Sequence, residues 1–299
     1  MKARVYKSTG SWYQVKATDG QFYAARARGS FKQEGLLSTN PIAVGDWVDI
    51  SVEAVAEQSA VIESIEDRHN YVARVSPHQK RLHHIIASNL DQALLMVTLR
   101  QPKTSSGFID RFLVSCEAQH VPAVILFNKA DLYREKEMAV FEAWKETYTA
   151  IGYPVLLCSM EAGVGLDEVK ACLQGKTTLL SGHSGVGKST LLNNLYPHLS
   201  LRTAEVSDWS GKGMHTTTFA EMFELDETSH IIDTPGIREL GIVDMEKAEL
   251  AHYFPEMRAR MAGCQFNGCA IKKAVGTEIA DDRFVSYLNI LDSLSTPSY

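Results

Sequence analysis

One glycine-rich segment has the residue types and the spacing that bind nucleotide phosphates. It reads Gly182-His183-Ser184-Gly185-Val186-Gly187-Lys188-Ser189-Thr190 and follows the apolar run 177–180, so a strand precedes it and a helix follows. Glycines let successive backbone N–H groups point at phosphate oxygens, and the helix N-terminus adds a favourable dipole. We expect Lys188 to reach the β- and γ-phosphates, the Ser189 hydroxyl to coordinate Mg²⁺, and Thr190 to lie at the α-phosphate.

A second motif, Asn128-Lys129-Ala130-Asp131, has the residues that read a guanine base. The Asp131 carboxylate can accept hydrogen bonds from guanine N1–H and its N2 amine, whereas adenine offers neither. Charge-assisted pairs of this kind reject the wrong base by several orders of magnitude. We expect Asn128 to hold the loop and contact the base, and the stem of Lys129 to cover the ring. Ser159, in the turn after the next strand, is expected to complete the pocket.

A third group of residues has the pattern that senses the γ-phosphate. Asp233-Thr234-Pro235-Gly236 ends an apolar strand, so we expect Asp233 to bind Mg²⁺ through water and the Gly236 N–H to contact the γ-phosphate. Upstream, either Thr216 or Thr217 adds a hydroxyl to Mg²⁺, and the residues alone do not choose between them.

The residue that positions the attacking water is not obvious. Ile237 stands where Ras-like enzymes place a glutamine, and an apolar side chain cannot orient water. This departure predicts slow intrinsic hydrolysis that a partner stimulates. His215, next to the switch threonines, is the candidate substitute, since histidine titrates near neutral pH; simple packing within the loop is the alternative.

The order of these motifs is unusual. In ordinary small GTPases the phosphate loop comes first and the base-reading motif last, whereas here the order is G4-G5-G1-G2-G3. Apolar runs at 89–99, 121–127, 153–158 and 177–180 alternate with helical segments. Such alternation predicts a mostly parallel sheet with helices on both faces and the ligand at the carboxyl ends of the strands. The sequence therefore predicts an α/β, circularly permuted P-loop GTPase domain.

The first part of the chain has a different pattern. Short alternating segments up to about residue 65, with a turn signal at Asp19-Gly20, predict about five strands and a small closed barrel of the oligonucleotide-binding (OB) type. Residues 1–40 carry seven Lys or Arg against two acids, which suggests that a polyanion meets this region. Aromatic residues could stack on bases, although strand alternation sends half of them inward. The polar stretch 66–84 is predicted to be a linker.

Composition excludes several classes of protein. The 299 residues have 45% hydrophobic and 22% charged content and a net charge of −6, as in ordinary globular proteins. Five cysteines without a secretory context argue against a disulfide framework, and no run approaches the roughly 18 apolar residues of a membrane span. We expect a cytoplasmic protein with no membrane partner, and nothing in the sequence favours an obligate oligomer over a monomer.

Taken together, the motifs resemble the RsgA (YjeQ) family of circularly permuted GTPases over nearly the whole chain. This resemblance implies an OB-fold barrel at 1–68, a permuted GTPase domain at 69–240 and a mostly helical C-terminal domain of the zinc type at 241–299. It also implies GTP and GDP with Mg²⁺ as cofactors, and the 30S ribosomal subunit with its 16S rRNA as partners.

The zinc motif is where this sequence departs from the family pattern, Cys-x₄-Cys-x-His-x₅-Cys. Read from the left, Cys264 and Cys269 match the two cysteines, but Ile271 replaces the histidine and Thr277 the last cysteine. Read from the right, Cys269 is the final cysteine and about eight residues are missing, which is the alignment we favour. Either way two thiolates alone do not complete a tetrahedral site, so Zn²⁺ binding stays open.

The resulting interpretation is a GTP hydrolase of late small-subunit assembly, slow alone and stimulated by the subunit. One alternative is a nucleotide-gated scaffold that hardly hydrolyses GTP; another is an ATP-dependent enzyme with a coincidental base motif. The motif order also predicts how the two terminal domains are connected to the nucleotide site. The C-terminal domain follows the γ-phosphate segment directly, and residues 85–99 tie the barrel to the base-binding side of the sheet.

Overall fold

The N-terminal part is a closed barrel, as predicted. The computed structural model describes residues 1–28, 41–54, 56–75, 83–201, 220–234, 245–261 and 279–294. Its first five strands are β1 (Lys2–Ser8), β2 (Tyr13–Ala17), β3 (Phe22–Ala27), β4 (Trp47–Ala54) and β5 (Ser59–Ile65). They pair in the order β1-β2-β3-β5-β4, and β4 closes back onto β1. Alternate side chains such as Val5, Val15 and Ile62 fill the interior, which is why the period-2 pattern identified these strands.

The stretch predicted as a linker is partly a hairpin instead. Strands β6 (Tyr71–Val75) and β7 (His83–Ser88) pair antiparallel, so that prediction was wrong. The hairpin buries Val72, Ala73 and Ile85, a short apolar pattern beside polar residues, and a side chain fixes its start. The Asn70 amide accepts from the Leu90 N–H at 2.8 Å and donates to the Leu90 carbonyl at 2.8 Å.

The central sheet has the predicted α/β architecture. Its strands are β8 (Gln92–Val97), β9 (Ala123–Phe127), β10 (Val155–Leu157), β11 (Thr177–Ser181), β12 (Glu221–Glu224) and β13 (His230–Asp233). They lie in the order β10-β9-β8-β11-β13-β12, with the first five parallel and β12 antiparallel. The helices that cover the sheet are α1 (Ser106–Ala118), α2 (Glu135–Ile151), α3 (Leu166–Leu173) and α4 (Lys188–Leu195). The middle strands are buried on both faces, which explains their continuous apolar runs.

The barrel joins this sheet at an edge that the sequence did not indicate. Strand β1 pairs with β12 through Lys7 and Glu221, at the opposite end of the sheet from β9 and β10. The predicted link through residues 85–99 is present as well: the Ser88 N–H donates to the Val44 carbonyl at 2.9 Å and the Asn89 amide donates to the Gly45 carbonyl at 3.1 Å. These residues lead into β8, which is next to β9.

The described C-terminal residues are helical and pack on α1. They form a 3₁₀ turn (Leu250–Tyr253) and the helices α5 (Pro255–Met261) and α6 (Asp281–Ser293). Residues 247–249, just before the 3₁₀ turn, form a turn and not a helix. The apolar residues Val114, Phe254 and Tyr287 share one core cluster between α1 and these elements. In the described ranges, no helix is both long and apolar enough to cross a membrane.

Candidate nucleotide site

Glycines stand at the two ends of the phosphate loop because other backbone and side-chain atoms approach there. Gly182 has a φ of +143°, and a Cβ at this position would lie 2.3 Å from the Met96 carbonyl oxygen. Gly187 has a φ of +100°, and a Cβ there would lie 2.7 Å from Asn128 Nδ2. Only glycine fits both positions, since an L side chain would be strained in conformation and would also clash. The loop is thus packed against β8 and against the base-reading motif.

Lys188 directs its ammonium group into the phosphate loop. Its Nζ donates to the carbonyl oxygens of Gly182 at 2.6 Å and His183 at 3.2 Å. Burial lowers the pKa of Lys188, and the negative charge of Asp233 opposes this effect. Ser189, half-buried, and Thr190, exposed, lie in the first turn of α4, and Ser184 and Gly185 are exposed in the loop. The arrangement places a cation and a helix N-terminus where the motif predicts that phosphates bind.

Asn128 joins the base-reading motif to the phosphate loop. Its side chain is fully buried, its Nδ2 donates to the Val186 carbonyl at 2.8 Å, and its Oδ1 accepts from the Cys158 thiol at 3.2 Å. Burial raises the pKa of Cys158 to about 12, so the sulfur stays a neutral donor. The predicted loop-holding role of Asn128 fits this geometry. The side chain offers no exposed atom, so its contact with the base stays a prediction.

Lys129 and Asp131 are held by hydrogen bonds to neighbouring loops. Lys129 has a left-handed backbone, with a φ of 61°, and its Nζ donates to the carbonyls of Gln101 at 2.7 Å and Gly185 at 2.8 Å. The Asp131 carboxylate is exposed and accepts from the Ser159 hydroxyl. Ser159 Oγ in turn accepts from the Ala162 N–H at 3.1 Å. The residues predicted for guanine recognition are therefore neighbours, held by hydrogen bonds.

Sequence reasoning missed two residues that hold this site. The Tyr133 hydroxyl donates to the Asn128 carbonyl at 2.8 Å and accepts from the Leu99 N–H at 3.1 Å, and burial raises its pKa to about 12. The ring centroids of Phe108, in α1, and His183 are 3.9 Å apart. No motif links Phe108 to His183, which lies far along the chain. A tyrosine shortly after the base motif was the one available signal for Tyr133.

Asp233 lies at the phosphate end of β13. It is opposite Leu180 in β11, just before the phosphate loop begins. Its Oδ1 is buried and has no hydrogen-bond partner within the described part of the chain. Burial raises the pKa of Asp233, while Lys188 opposes that shift. A buried carboxylate oxygen without a donor fits a role as a ligand of a hydrated cation.

The remaining predicted site residues lie outside the described ranges. These are His215, Thr216, Thr217, Gly236, Cys264 and Cys269, together with Ile237. Their roles stay predictions from the sequence. Within the ranges that the structure covers, no three His, Cys, Asp or Glu side chains form a group that could hold a metal ion.

The barrel as a whole does not carry the positive charge that residues 1–40 suggested. Residues 1–68 contain eight Lys or Arg and nine Asp or Glu, so the excess of positive charge ends with residue 40. Several of the cations are paired with acids: Lys2 with Glu66, Lys7 with Glu221, Lys16 with Glu224, Arg26 with Glu53, and Arg28 with Glu63. Tyr13 and Tyr23 are in the core, whereas Trp12 and Trp47 are 54% and 39% exposed. Exposed aromatic rings, and not net charge, distinguish this surface.

Comparison with known proteins identifies the family. The profile of the RsgA GTPase family matches residues 65–243. The chain belongs to this family. The profile of the RsgA N-terminal domain matches residues 2–62, over the barrel. As an RsgA-family member the chain is a GTP hydrolase, and the predicted fold of a permuted GTPase with an N-terminal barrel is confirmed.

Relatives and solved structures cover the whole chain. The small ribosomal subunit biogenesis GTPase RsgA of Cytophaga hutchinsonii is 52% identical over 97% of this chain and 98% of its own length. RsgA 2 of Bacteroides thetaiotaomicron is 48% identical over 100% and 99%. The crystal structure of YjeQ from Thermotoga maritima superposes with a TM-score of 0.78 at 32% identity, over 99% of both chains. YloQ, described as a circularly permuted GTPase, gives 0.73 at 27% identity, over 100% and 96%.

Proposed function

We propose that this chain hydrolyses GTP to GDP and phosphate during late assembly of the 30S ribosomal subunit, slowly alone and faster on the subunit. The observation that carries the proposal is the hydrogen bond from the Asn128 amide to the Val186 carbonyl. It joins the guanine-reading motif to the phosphate loop, so that one nucleotide spans both. The relatives that are named for small-subunit biogenesis support the process.

The same residues support Mg²⁺ as the cofactor beside GTP. Ser189 and Asp233 supply the oxygen donors that Mg²⁺ prefers, with Thr216 or Thr217 as a third, and the donor-free Oδ1 of Asp233 fits this use. When bound, Mg²⁺ neutralises charge on the phosphates. Lys188 holds the β- and γ-phosphates, Asp131 holds guanine, and the Gly236 N–H contacts the γ-phosphate. His215 orients the attacking water.

The proposed RNA partner is 16S rRNA, met by the barrel in the cytoplasm. Because many of the barrel's cations are already paired with acids, we infer that Trp12 and Trp47 contribute by stacking on unpaired bases. The barrel at 1–68, the GTPase domain at 69–240 and the C-terminal domain at 241–299 act as one monomer. Whether Cys264 and Cys269 hold Zn²⁺ is a question for metal analysis of the purified protein.

Phosphate release with and without purified 30S subunits tests the proposal. We expect stimulation of at least about tenfold, because Ile237 stands where Ras-like enzymes place the water-orienting glutamine. Lys188→Ala should abolish both rates, and Asp131→Asn should remove the preference for guanine. Excess ATP should fail to displace bound GTP.

The second candidate function is a scaffold that binds GTP and hardly hydrolyses it, which Ile237 favours. It would replace the first if subunits bind the GTP-loaded protein but leave phosphate release unchanged.

A further inference from the structure

Three charged residues lie in one row where the barrel meets the central sheet. Lys7 of β1 is opposite Glu221 of β12, and Glu221 is opposite Asp233 of β13. Directly opposite residues on antiparallel strands point to the same face, with Cβ atoms roughly 5 Å apart. The row therefore places a second carboxylate beside Asp233, and a barrel lysine beside that carboxylate.

The lysine is bonded to Glu221 and is also accessible to solvent. Lys7 Nζ lies 3.0 Å from Glu221 Oε2, and the two side chains are 33% and 26% exposed. A phosphate group arriving from solvent can therefore compete with Glu221 for Lys7. Lys188 also interacts with Asp233, and its positive charge opposes the effect of burial on the pKa of that carboxyl.

We propose that Glu221 is a positioning residue that tunes the affinity of Asp233 for Mg²⁺, and that Lys7 controls how strongly it does so. The inference rests on the proposed binding of Mg²⁺ at Asp233. Two neighbouring carboxylates repel each other, and a divalent cation is attracted to both. While Lys7 is paired with Glu221, part of that charge is neutralised. When an RNA phosphate takes Lys7, the full charge of Glu221 acts on the cation and Mg²⁺ binds more tightly.

The chain provides a matched control pair. Lys16 Nζ lies 2.5 Å from Glu224 Oε1, with exposures of 28% and 39%. Glu224 is in the same strand as Glu221, but it is opposite His230 and not Asp233. The same kind of ion pair is thus present without a neighbouring magnesium carboxylate.

The experiment is a Mg²⁺ titration of the full-length protein loaded with fluorescent GDP, which needs no turnover. We expect Lys7→Gln to lower the half-saturating Mg²⁺ concentration by about 3- to 10-fold, and Glu221→Gln to raise it by a similar factor. The double variant should behave like Glu221→Gln. Lys16→Gln and Glu224→Gln should leave the titration unchanged. Shifts of the same sign for Lys7→Gln and Glu221→Gln, or equal shifts in the control pair, would overturn the proposal.

Two further arms separate this inference from the proposed function. If Asp233→Asn leaves Mg²⁺ affinity unchanged, the proposed magnesium site itself is wrong. If Asp233→Asn weakens binding while Glu221→Gln does not, only the present inference fails. Adding 30S subunits should tighten Mg²⁺ binding in the wild-type protein and not in Lys7→Gln; an equal shift in both would show that Lys7 is not the control point.

Discussion

The barrel and the C-terminal helices are each joined to the GTPase domain around a buried arginine, but the surroundings of the two arginines differ. At the barrel joint, the Arg68 and Asp46 side chains are 4% and 0% exposed, and Asp46 also accepts from the Ser88 hydroxyl at 2.6 Å. At the C-terminal joint, Arg283 bonds Asp110 at 2.7 Å and Glu256 at 2.8 Å. Arg68 thus balances a single carboxylate, which also has other donors, whereas Arg283 balances two carboxylates.

The two joints also lie against different halves of the nucleotide site. The barrel continues the sheet through β12, next to the strand that ends in Asp233. The C-terminal helices pack on α1, whose Phe108 contacts His183 of the phosphate loop. They also reach α2, because the Arg283 guanidinium carbon lies 5.9 Å from the ring centroid of Tyr148. The barrel therefore lies next to the strand that carries Asp233, the proposed magnesium ligand. The C-terminal helices lie against the helix that contacts the phosphate loop. The link from the γ-phosphate segment to the C-terminal domain, which the motif order predicts, lies outside the described residues and stays a prediction.

Arg283→Met should have the largest effect on stability. It leaves Asp110 and Glu256 without their cation, and breaking a buried pair in this way costs about 3–5 kcal/mol. We expect a lower midpoint of urea unfolding and rapid proteolysis after α5. Arg111→Met is the control, since Arg111 lies on the same helix as Asp110 but makes an exposed contact with Ser293. Equal losses in the two variants would contradict the joint described for Arg283.

Arg68→Met should cost less, about 2–3 kcal/mol, because Arg68 balances only Asp46, which keeps Ser88 Oγ and the Ala43 N–H as donors, whereas Arg283 balances two carboxylates. The measurement is the same urea unfolding, with proteolysis now expected in the barrel. A loss larger than that of Arg283→Met would mean that the number of carboxylates left without a cation does not set the difference between the joints.

The sequence predicted the site better than it predicted the joints. Asn128, Gly182 and Asp233 each follow an apolar strand in a short motif, so local pattern was enough to place them at one edge of the sheet. Arg283 and Asp110 are 173 positions apart, and no local pattern shows that a charged side chain will be buried by a distant partner. The edge pairing of β1 with β12 was equally hidden. Alternation along a strand shows which side chains share a face of the sheet, but it does not show which strands pair.

Phe108→Ala tests whether α1 connects the C-terminal side to the phosphate loop. Loss of the contact with His183 should weaken GDP affinity by about fivefold, near 1 kcal/mol. Equilibrium titration with fluorescent GDP measures this change. Phe112→Leu, which alters the same helix within the core, is the control for general loosening of α1. If both variants weaken binding equally, the ring contact itself has no separate role.

Tyr6→Phe should give the smallest effect and should leave nucleotide affinity unchanged. The Tyr6 hydroxyl donates to Glu224 Oε1 at 2.6 Å, but Lys16 also bonds that oxygen, so the carboxylate keeps a partner. The phenylalanine ring retains the edge contact with Phe22, at 5.2 Å between ring centroids. We therefore expect a loss of about 0.5–1 kcal/mol in unfolding free energy. A change in GDP affinity as large as that of Phe108→Ala would show that the barrel joint also reaches the base and phosphate loops, and the division between the two joints would no longer hold.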